Sequence, residues 1–387
     1  MNDVDGAMGA VSQPPRIAYD ARLGLGSYRG MGRFLRQLIA GREQDFLGFC
    51  ATGERDASLN LIASGHKIYP LWEQISIPRL VRDYKIDTFI APFNTAPLRL
   101  PPAVRLVVVV YDLIFMDKLP LSHSLYQNAG RLYRRFVVPR AIQQASVVIT
   151  VSEYTAAQLR SRLMLDASRI RVIPVSLGDE WFSERSVSRA DHRYVFAVAG
   201  EAPSKNLSRA IAAFAQCRRR TGNDLRMKVA GVKPKFHAQF QEEARHLEVA
   251  EWVEFLSYIP ESELRGFYQN AEVFMMPSLS EGFGIPVLEA MAAGLPVVVS
   301  SASSLPEVAG DAATYFDPLS VDDMASALSE VVCNPGQRRE MSARSVLQAR
   351  KFHRDVIDRK TAELWSELTA GKQSRGARRS GKEFCSV

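Results

Sequence analysis

The sequence predicts a doubly wound α/β fold built twice in succession, and three observations lead there. Apolar, β-rich runs alternate with segments of helical period along most of the chain, which is the pattern of parallel strands joined by helical crossovers. The alternation restarts near Arg193, after the polar stretch "GDEWFSERSVSRADHR", which suits a linker. The length, 387 residues, accommodates two ordinary domains with a sizeable core. Each half reads as Rossmann-like. Ligands are therefore expected in a cleft at the carboxyl ends of the strands. The expected boundaries are 1–180 for a first domain and 181–370 for a second. Residues 371–387 read as a disordered basic tail, and the last helix is free to pack back on the first domain.

Each element follows from its own pattern. "RIAYDA" reads as the first strand, and "GMGRFLRQLIAG" as a helix with Phe34, Leu35, Leu38 and Ile39 on one face. "DTFIAPF", "RLVVVVYDL" and "VVITVS" are further strands. "SLYQNAGRLYRRFVVPRAIQQA", between the last two, is helical with Pro139 as a kink or break. "RIRVIPVSL" closes the first half. In the second half "YVFAVAG", "LRMKVAG", "VEFLSY", "VFMMPS" and "PVVVS" are strands. "LSRAIAAFAQCRRR", "PESELRGFYQNA" and "IPVLEAMAAG" are helices.

Composition excludes several classes. Hydrophobic residues make up 47% and charged residues 24%, the profile of a globular enzyme. No apolar run is long enough for a membrane helix, and the N-terminal "MNDVDGAMGAVSQPP" lacks the basic and apolar regions of a signal peptide. Cys50, Cys217, Cys333 and Cys385 lie far apart without a CxxC, which points to reduced thiols in the cytoplasm. The net charge of +7 is uneven: roughly +7 over residues 1–190, roughly −4 over 191–370 and roughly +4 beyond. The basic half suits an anionic membrane or a phosphorylated acceptor, or else is simply solvated; no nucleic-acid partner is expected. "GLGSYR" fails GxGxxG at its third glycine, "GEAPSKN" lacks the Walker ending, and no HExxH occurs. A dehydrogenase, a P-loop enzyme and a zincin are thereby disfavoured.

The chemistry concentrates in "SEGFGIPVLEAMAAGLPVVVS", Ser280 to Ser300. Pro286 near the first helical position and Gly294 just past the last bracket a helix that starts at the carboxyl end of a strand. Its free N–H groups and dipole form an anion site suited to a diphosphate. Gly282 and Gly284 let the backbone approach a ligand closely. Glu289, one turn in, can accept two hydrogen bonds from a vicinal diol such as a ribose. Glu281 precedes the helix and points toward whatever hangs off the diphosphate.

These residues resemble the E-x7-E region of retaining glycosyltransferase family 4, which has the GT-B fold. "SSASSLPEVAGDAATYFDP" and "VEFLSYIPESELRGFYQNAEVFMMPSLSEGFG" flank the motif as they do in that family. In the first half, "YRGMGRFLRQL", "VVVVYDLIF", "VVITVSEYTAAQL" and "RIRVIPVSLGDEWF" are similar to its other blocks. The resemblance implies that Glu281 contacts the donor sugar and that the Gly282, Phe283 and Gly284 backbone meets its hydroxyls. It further implies that Ile285, Pro286 and Val287 lie at the phosphate-binding helix start and that Glu289 binds the ribose. Lys205, in "APSKNL", takes the place of a phosphate-binding lysine, read as unpaired and free to stabilise the leaving group. Gly30 and Gly32 would approach the phosphates or the acceptor.

Two departures stand out. Gly200, followed by Glu201, stands where the family keeps an arginine. Tyr111 replaces a histidine that usually contacts the donor sugar, leaving Asp112 as either a polar contact or a strand-end structural residue.

The resemblance implies a retaining hexosyltransferase that needs no metal and no cofactor beyond its nucleotide-sugar substrate. The "YDLI" variant resembles mannosyltransferases of bacterial polysaccharide assembly, hence GDP-mannose as donor and a lipid-linked saccharide as acceptor. UDP- or GDP-linked hexoses of other kinds remain open. A sugar-nucleotide epimerase and a storage-glucan synthase are disfavoured by the contiguous motif pattern, and a non-catalytic nucleotide-sugar-binding partner is the rival from another class. Arg131, Arg134 and Arg135 beside Leu132, Tyr133 and Phe136 make the helix around them either a peripheral anchor on the inner membrane face or an ordinary cover for the sheet.

Overall fold

The protein is described from a computed structural model, which covers residues 16–26, 30–117, 125–182, 193–222 and 224–370. The basic tail, Cys385 and most of the polar linker lie outside the described residues. Two compact units emerge: Met1–Val109, Arg140–Val147 and Trp365–Val387 in one, Val110–Pro139 and Val148–Leu364 in the other.

Seven strands build the first sheet: β1 (Ile17–Asp20), β2 (Leu47–Cys50), β3 (Leu61–Ala63), β4 (Thr88–Ala91), β5 (Arg105–Val110), β6 (Val147–Thr150) and β7 (Ile170–Val172). Their order is β3-β2-β1-β4-β5-β6-β7. Six build the second: β8 (Tyr194–Val198), β9 (Arg226–Ala230), β10 (Val253–Leu256), β11 (Val273–Met276), β12 (Val297–Ser300) and β13 (Ala313–Phe316), in the order β10-β9-β8-β11-β12-β13. Every described pairing between these strands is parallel, for example Phe274 opposite both Phe196 and Val297. The central strands are Val- and Met-rich runs, buried throughout except at Arg105, the first residue of β5, as parallel strands covered on both faces require. The architecture is thus the two doubly wound parallel sheets that the alternation predicts.

Three details depart from the sequence reading. The strands β2 and β3 carry too few β-branched residues to announce themselves. A Cβ on Gly48 would lie 2.6 Å from Leu61 and 2.9 Å from the Tyr19 hydroxyl, so the strand keeps a glycine where its neighbours crowd in. The edge strand β13, ATYF, carries strand-forming Thr314, Tyr315 and Phe316 but only four residues, too few to show a period. The helix Leu125–Gln144 continues through Pro139 instead of breaking there, because Val137, Val138, Ala141 and Ile142 are all buried on one side of it. Its length does not make it a membrane span: no helix among the described residues is long and apolar enough to cross a bilayer.

The last helix, Arg354–Ala370, gives its end to the first unit. There Trp365 Nε1 donates to Leu38 O at 2.8 Å, its ring packs on Phe46, and Arg105 Nη1 donates to Leu368 O at 2.7 Å.

Candidate functional site

The site is built inside the second unit, where strand order reverses. β8 has β9 on one side and β11 on the other, so the carboxyl ends of β8 and β11 flank the switch point of the second sheet. The chain leaves β11, crosses Pro277–Gly284 and enters the helix Ile285–Ala292. Gly284 is its N-cap at φ 109, a conformation that favours glycine, and Pro286 sits at the second helical position. Gly294, at φ 71, follows the last turn.

The loop before the helix is crowded. A Cβ on Gly282 would lie 2.1 Å from Tyr111 O and 3.3 Å from Asp112 Cβ, so only glycine fits against the end of β5. Three hydroxyl side chains take the loop's carbonyls and their neighbours. Ser152 Oγ donates to Gly282 O at 2.7 Å, and Thr155 Oγ1 donates to Tyr111 O at 3.1 Å. Ser304 Oγ lies 3.0 Å from Glu281 O and 2.9 Å from Phe283 O, its one hydrogen shared between them. The Glu281 N–H donates to Ser303 Oγ at 3.0 Å.

The next backbone donors, the N–H groups of Gly282, Phe283, Gly284 and Ile285, have no acceptor among the described residues. The row of available donors therefore lies earlier than the helix start itself. Pro286 has no N–H, and the Val287 N–H is committed to Gly284 O at 2.9 Å with the side chain buried. Phe283 is buried too, its ring 5.6 Å from that of Phe352, so it offers a ligand only its backbone.

Lys205 and Glu281 meet. The lysine ends a short turn, Pro203–Lys205, after β8, and its Nζ lies 2.6 Å from Glu281 Oε1. This corrects the expectation of an unpaired lysine. The reason is topological: β8 and β11 pair, Leu279 N donates to Ser204 O at 2.8 Å, and the two loops run side by side. Asn206, at φ 59 and buried, fixes the turn by donating from Nδ2 to Pro277 O and Pro318 O at 3.0 and 2.7 Å. Glu201, beside the position of the missing arginine, pairs with Lys233 at 2.5 Å.

Glu289 is 6% exposed, and its Oε2 accepts the hydroxyl of the fully buried Tyr268 at 3.0 Å. It is not a solvated helix residue. Asp112 accepts the Ile114 N–H at 3.0 Å. Burial pushes its carboxyl above the usual 3.8, the Ile114 N–H opposes that, the Glu281 charge adds to it, and Arg134 and Lys205 draw it back. The Tyr111 phenol is raised well above its ordinary value by burial. Gly30 and Gly32 belong to the first unit. Gly30 caps the helix Met31–Ile39 at φ 38, and Gly32 is buried in its first turn. No cluster of three or more His, Cys, Asp or Glu side chains placed to hold a metal ion occurs among the described residues.

Sequence reasoning did not single out Ser152, Thr155, Ser304, Asn206 or Tyr268. The one local signal was Ser152 directly before a helical stretch, an N-cap pattern that the structure realises with Thr155 N at 3.1 Å.

Two family models match this chain: one described as Glycosyl transferases group 1, over residues 179–347, and one as Glycosyltransferase Family 4, over residues 34–176. The chain is 26% identical over 282 residues to the O-antigen chain mannosyltransferase B of Escherichia coli, covering 70% of this chain and 72% of that one. It is 27% identical over 201 residues to the O-antigen chain mannosyltransferase RfbU of Salmonella typhimurium, covering 52% of this chain and 55% of that one. Among solved structures, the sucrose-phosphate synthase of Thermosynechococcus elongatus superposes with a TM-score of 0.73 at 19% identity, over 92% of this chain and all of that one. WaaG, a glycosyltransferase involved in lipopolysaccharide biosynthesis, does so with a TM-score of 0.69 at 18% identity, again over 92% of this chain and all of that one.

Proposed function

From the premise that the chain belongs to the glycosyltransferase family these two models describe, with the GT-B fold of two Rossmann-like parallel-sheet domains, we propose that it is a retaining hexosyltransferase of bacterial surface polysaccharide assembly. The proposed donor is GDP-mannose and the proposed acceptor a lipid-linked saccharide. The names of the O-antigen relatives support mannose, and their role in O-antigen chains supports the acceptor class.

The observation that carries the reading is the Lys205–Glu281 pair at 2.6 Å beside the N–H row Gly282–Ile285. A nucleoside diphosphate on that row would have its phosphate oxygens among preorganised donors and a cation. Glu289 would take the ribose hydroxyls and Glu281 a hydroxyl of the hexose. The acceptor oxygen then bonds to the anomeric carbon as the bond from that carbon to the phosphate oxygen breaks. The acceptor's proton passes to the departing diphosphate on the same face. Lys205 and the N–H row take up the charge that develops there, so a metal ion is not required by this scheme. Asp112 and Tyr111 line the loop's other flank; Tyr111 contributes as a neutral phenol.

The helix Leu125–Gln144 presents Leu132 and Phe136, 71% and 53% exposed, one turn apart. Arg134, two residues from each and so about half a turn round the helix, is exposed on its opposite side, while Arg131 and Arg135 donate to carbonyls of residues 115–117. We place this face on the anionic inner surface of the cytoplasmic membrane, where a lipid-linked acceptor resides.

The test is a thermal-shift panel of GDP- and UDP-sugars followed by turnover. GDP released from GDP-mannose only when acceptor is present, and unaffected by EDTA, is the expected result. Tight donor binding without release in the presence of acceptor identifies a binding partner, and a preference for UDP-sugars overturns the donor assignment.

A further inference from the structure

The loop Glu281–Gly284 is gripped from two directions by side chains to which the donor reading assigns no contact. Ser152 and Thr155, from the first turn of the helix Glu153–Leu163 and its cap, hold Gly282 O and Tyr111 O. Ser304, the cap of the short helix Leu305–Ala309, holds Glu281 O and Phe283 O. The two grips are themselves joined. Glu307, three residues past Ser304, accepts the Glu153 N–H on Oε1 at 2.9 Å and the Tyr154 N–H on Oε2 at 3.1 Å. Those are two of the orphan donors at the start of the helix that Ser152 caps. A carboxylate on a helix N-terminus gains from both the ionic hydrogen bonds and the dipole. The contacts close a ring: loop to Ser152, Ser152's helix to Glu307, Glu307's turn to Ser304, and Ser304 back to the loop.

We propose that this ring aims the donor loop, with Ser152, Ser304 and Glu307 as positioning residues of the transferase. In a planar trans peptide the C=O of one residue and the N–H of the next point opposite ways. Holding the carbonyls of Glu281, Gly282 and Phe283 therefore sets the directions of the N–H groups of Gly282, Phe283 and Gly284. The carbonyls go in turn to Ser304, Ser152 and Ser304, so each of these N–H directions depends on one of the two grips. Glu307 makes no bond to the loop. Its effect travels through the helix it caps and through its own turn, and without it the two grips lose their common register. A drift of about 1 Å at a reacting centre costs on the order of 100-fold in rate.

The experiment compares Glu307→Gln, Ser152→Ala, Ser304→Ala and the Glu307→Gln/Ser152→Ala double variant with the wild type. Amide hydrogen exchange is read over 152–158 and 279–287. Turnover is read per nucleotide-binding site, so that unfolded protein is not counted. Glu307→Gln is expected to speed exchange in 279–287 as well as in 152–158, and Ser304→Ala to speed it in 152–158, which Ser304 does not touch. On the transferase reading, on which only the kinetic arm rests, kcat falls by about 10- to 100-fold in each single variant. The double variant is expected within about twofold of the worse single, because one broken link already opens the ring. Faster exchange confined to the mutated end, single losses that multiply in the double, or wild-type kcat in Glu307→Gln overturns the ring. Coupled exchange in a protein that transfers no sugar from any donor leaves the ring standing and overturns the transferase reading instead.

Discussion

Gly282→Ala is a perturbation of a single methyl group, and the structure sets its cost. The new Cβ would fall 2.1 Å from Tyr111 O and 2.9 Å from Tyr111 C, the first of them more than about 1.3 Å inside ordinary contact. Both obstacles are backbone at the end of β5, and Thr155 pins that same carbonyl at 3.1 Å, so neither can swing away as a side chain would. Gly282 has no left-handed φ, so the penalty is steric and not conformational. The loop must retreat by more than about 1 Å, an overpacking that costs about 1–3 kcal/mol or more. At roughly 2–4 °C per kcal/mol for a domain of this size, the midpoint of thermal unfolding should drop measurably. The same retreat misplaces the Gly282 and Phe283 N–H groups, and kcat for hexose transfer should fall by about 100-fold while the protein remains folded. Gly266→Ala is the matched control. It lies in the helix Glu261–Asn270 with nothing within 4 Å of its new Cβ, and should gain about 0.5–1 kcal/mol with activity intact. Differential scanning calorimetry and GDP release report the two quantities on the same samples. A Gly282→Ala protein with wild-type midpoint and turnover would refute both the packing of the loop on β5 and its place in the reaction.

Glu289→Gln should weaken binding of free GDP by about 1–3 kcal/mol in isothermal titration, while Tyr268→Phe, which removes one internal partner of that carboxylate, should leave it nearly unchanged; equal losses in the two would reassign Glu289 to the core. Asp112 gives a pH signature. Its folded-state pKa is raised above 3.8, so the folded protein holds the extra proton in the window above that value and loses stability as pH rises through it. Asp112→Asn, which keeps an oxygen for the Ile114 N–H, should therefore gain in unfolding midpoint relative to wild type near pH 7 and lose that gain toward pH 4; the opposite trend would mean the carboxylate is stabilised by its neighbours. Leu132→Ser with Phe136→Ser should release the protein from anionic vesicles in a sedimentation assay, the two side chains together contributing about 2–4 kcal/mol if buried in lipid. A wild type that ignores such vesicles at low salt makes that helix face an ordinary surface.

The architecture and the helix Ile285–Ala292 with the glycine loop before it were legible in the sequence because both rest on local, repeated signals. Buried parallel strands must be Val- and Ile-rich on both faces, as "RLVVVV" and "PVVVS" are, and a helix that opens with proline and closes with glycine declares its ends. Glu281 and Glu289 were visible for the same reason, as carboxylates out of place in an apolar setting. What lay hidden depends on chain segments far apart in sequence. Gly282 looked like a residue freed for a ligand, yet it is glycine because the backbone of Tyr111 occupies the space a Cβ would need. Lys205 looked unpaired because its partner lies 76 residues away across the β8–β11 pairing. Ser152, Ser304 and Glu307 carry no sequence signature beyond standing at or near helix starts. They become a unit only where the fold brings two helix starts to one loop, since a hydrogen bond exists within about 3 Å and sequence periodicity is blind to that distance. Local pattern therefore determined which elements form and where the turn before the helix Ile285–Ala292 lies. Tertiary contact alone decided which side chains pair, and so in what direction that turn points.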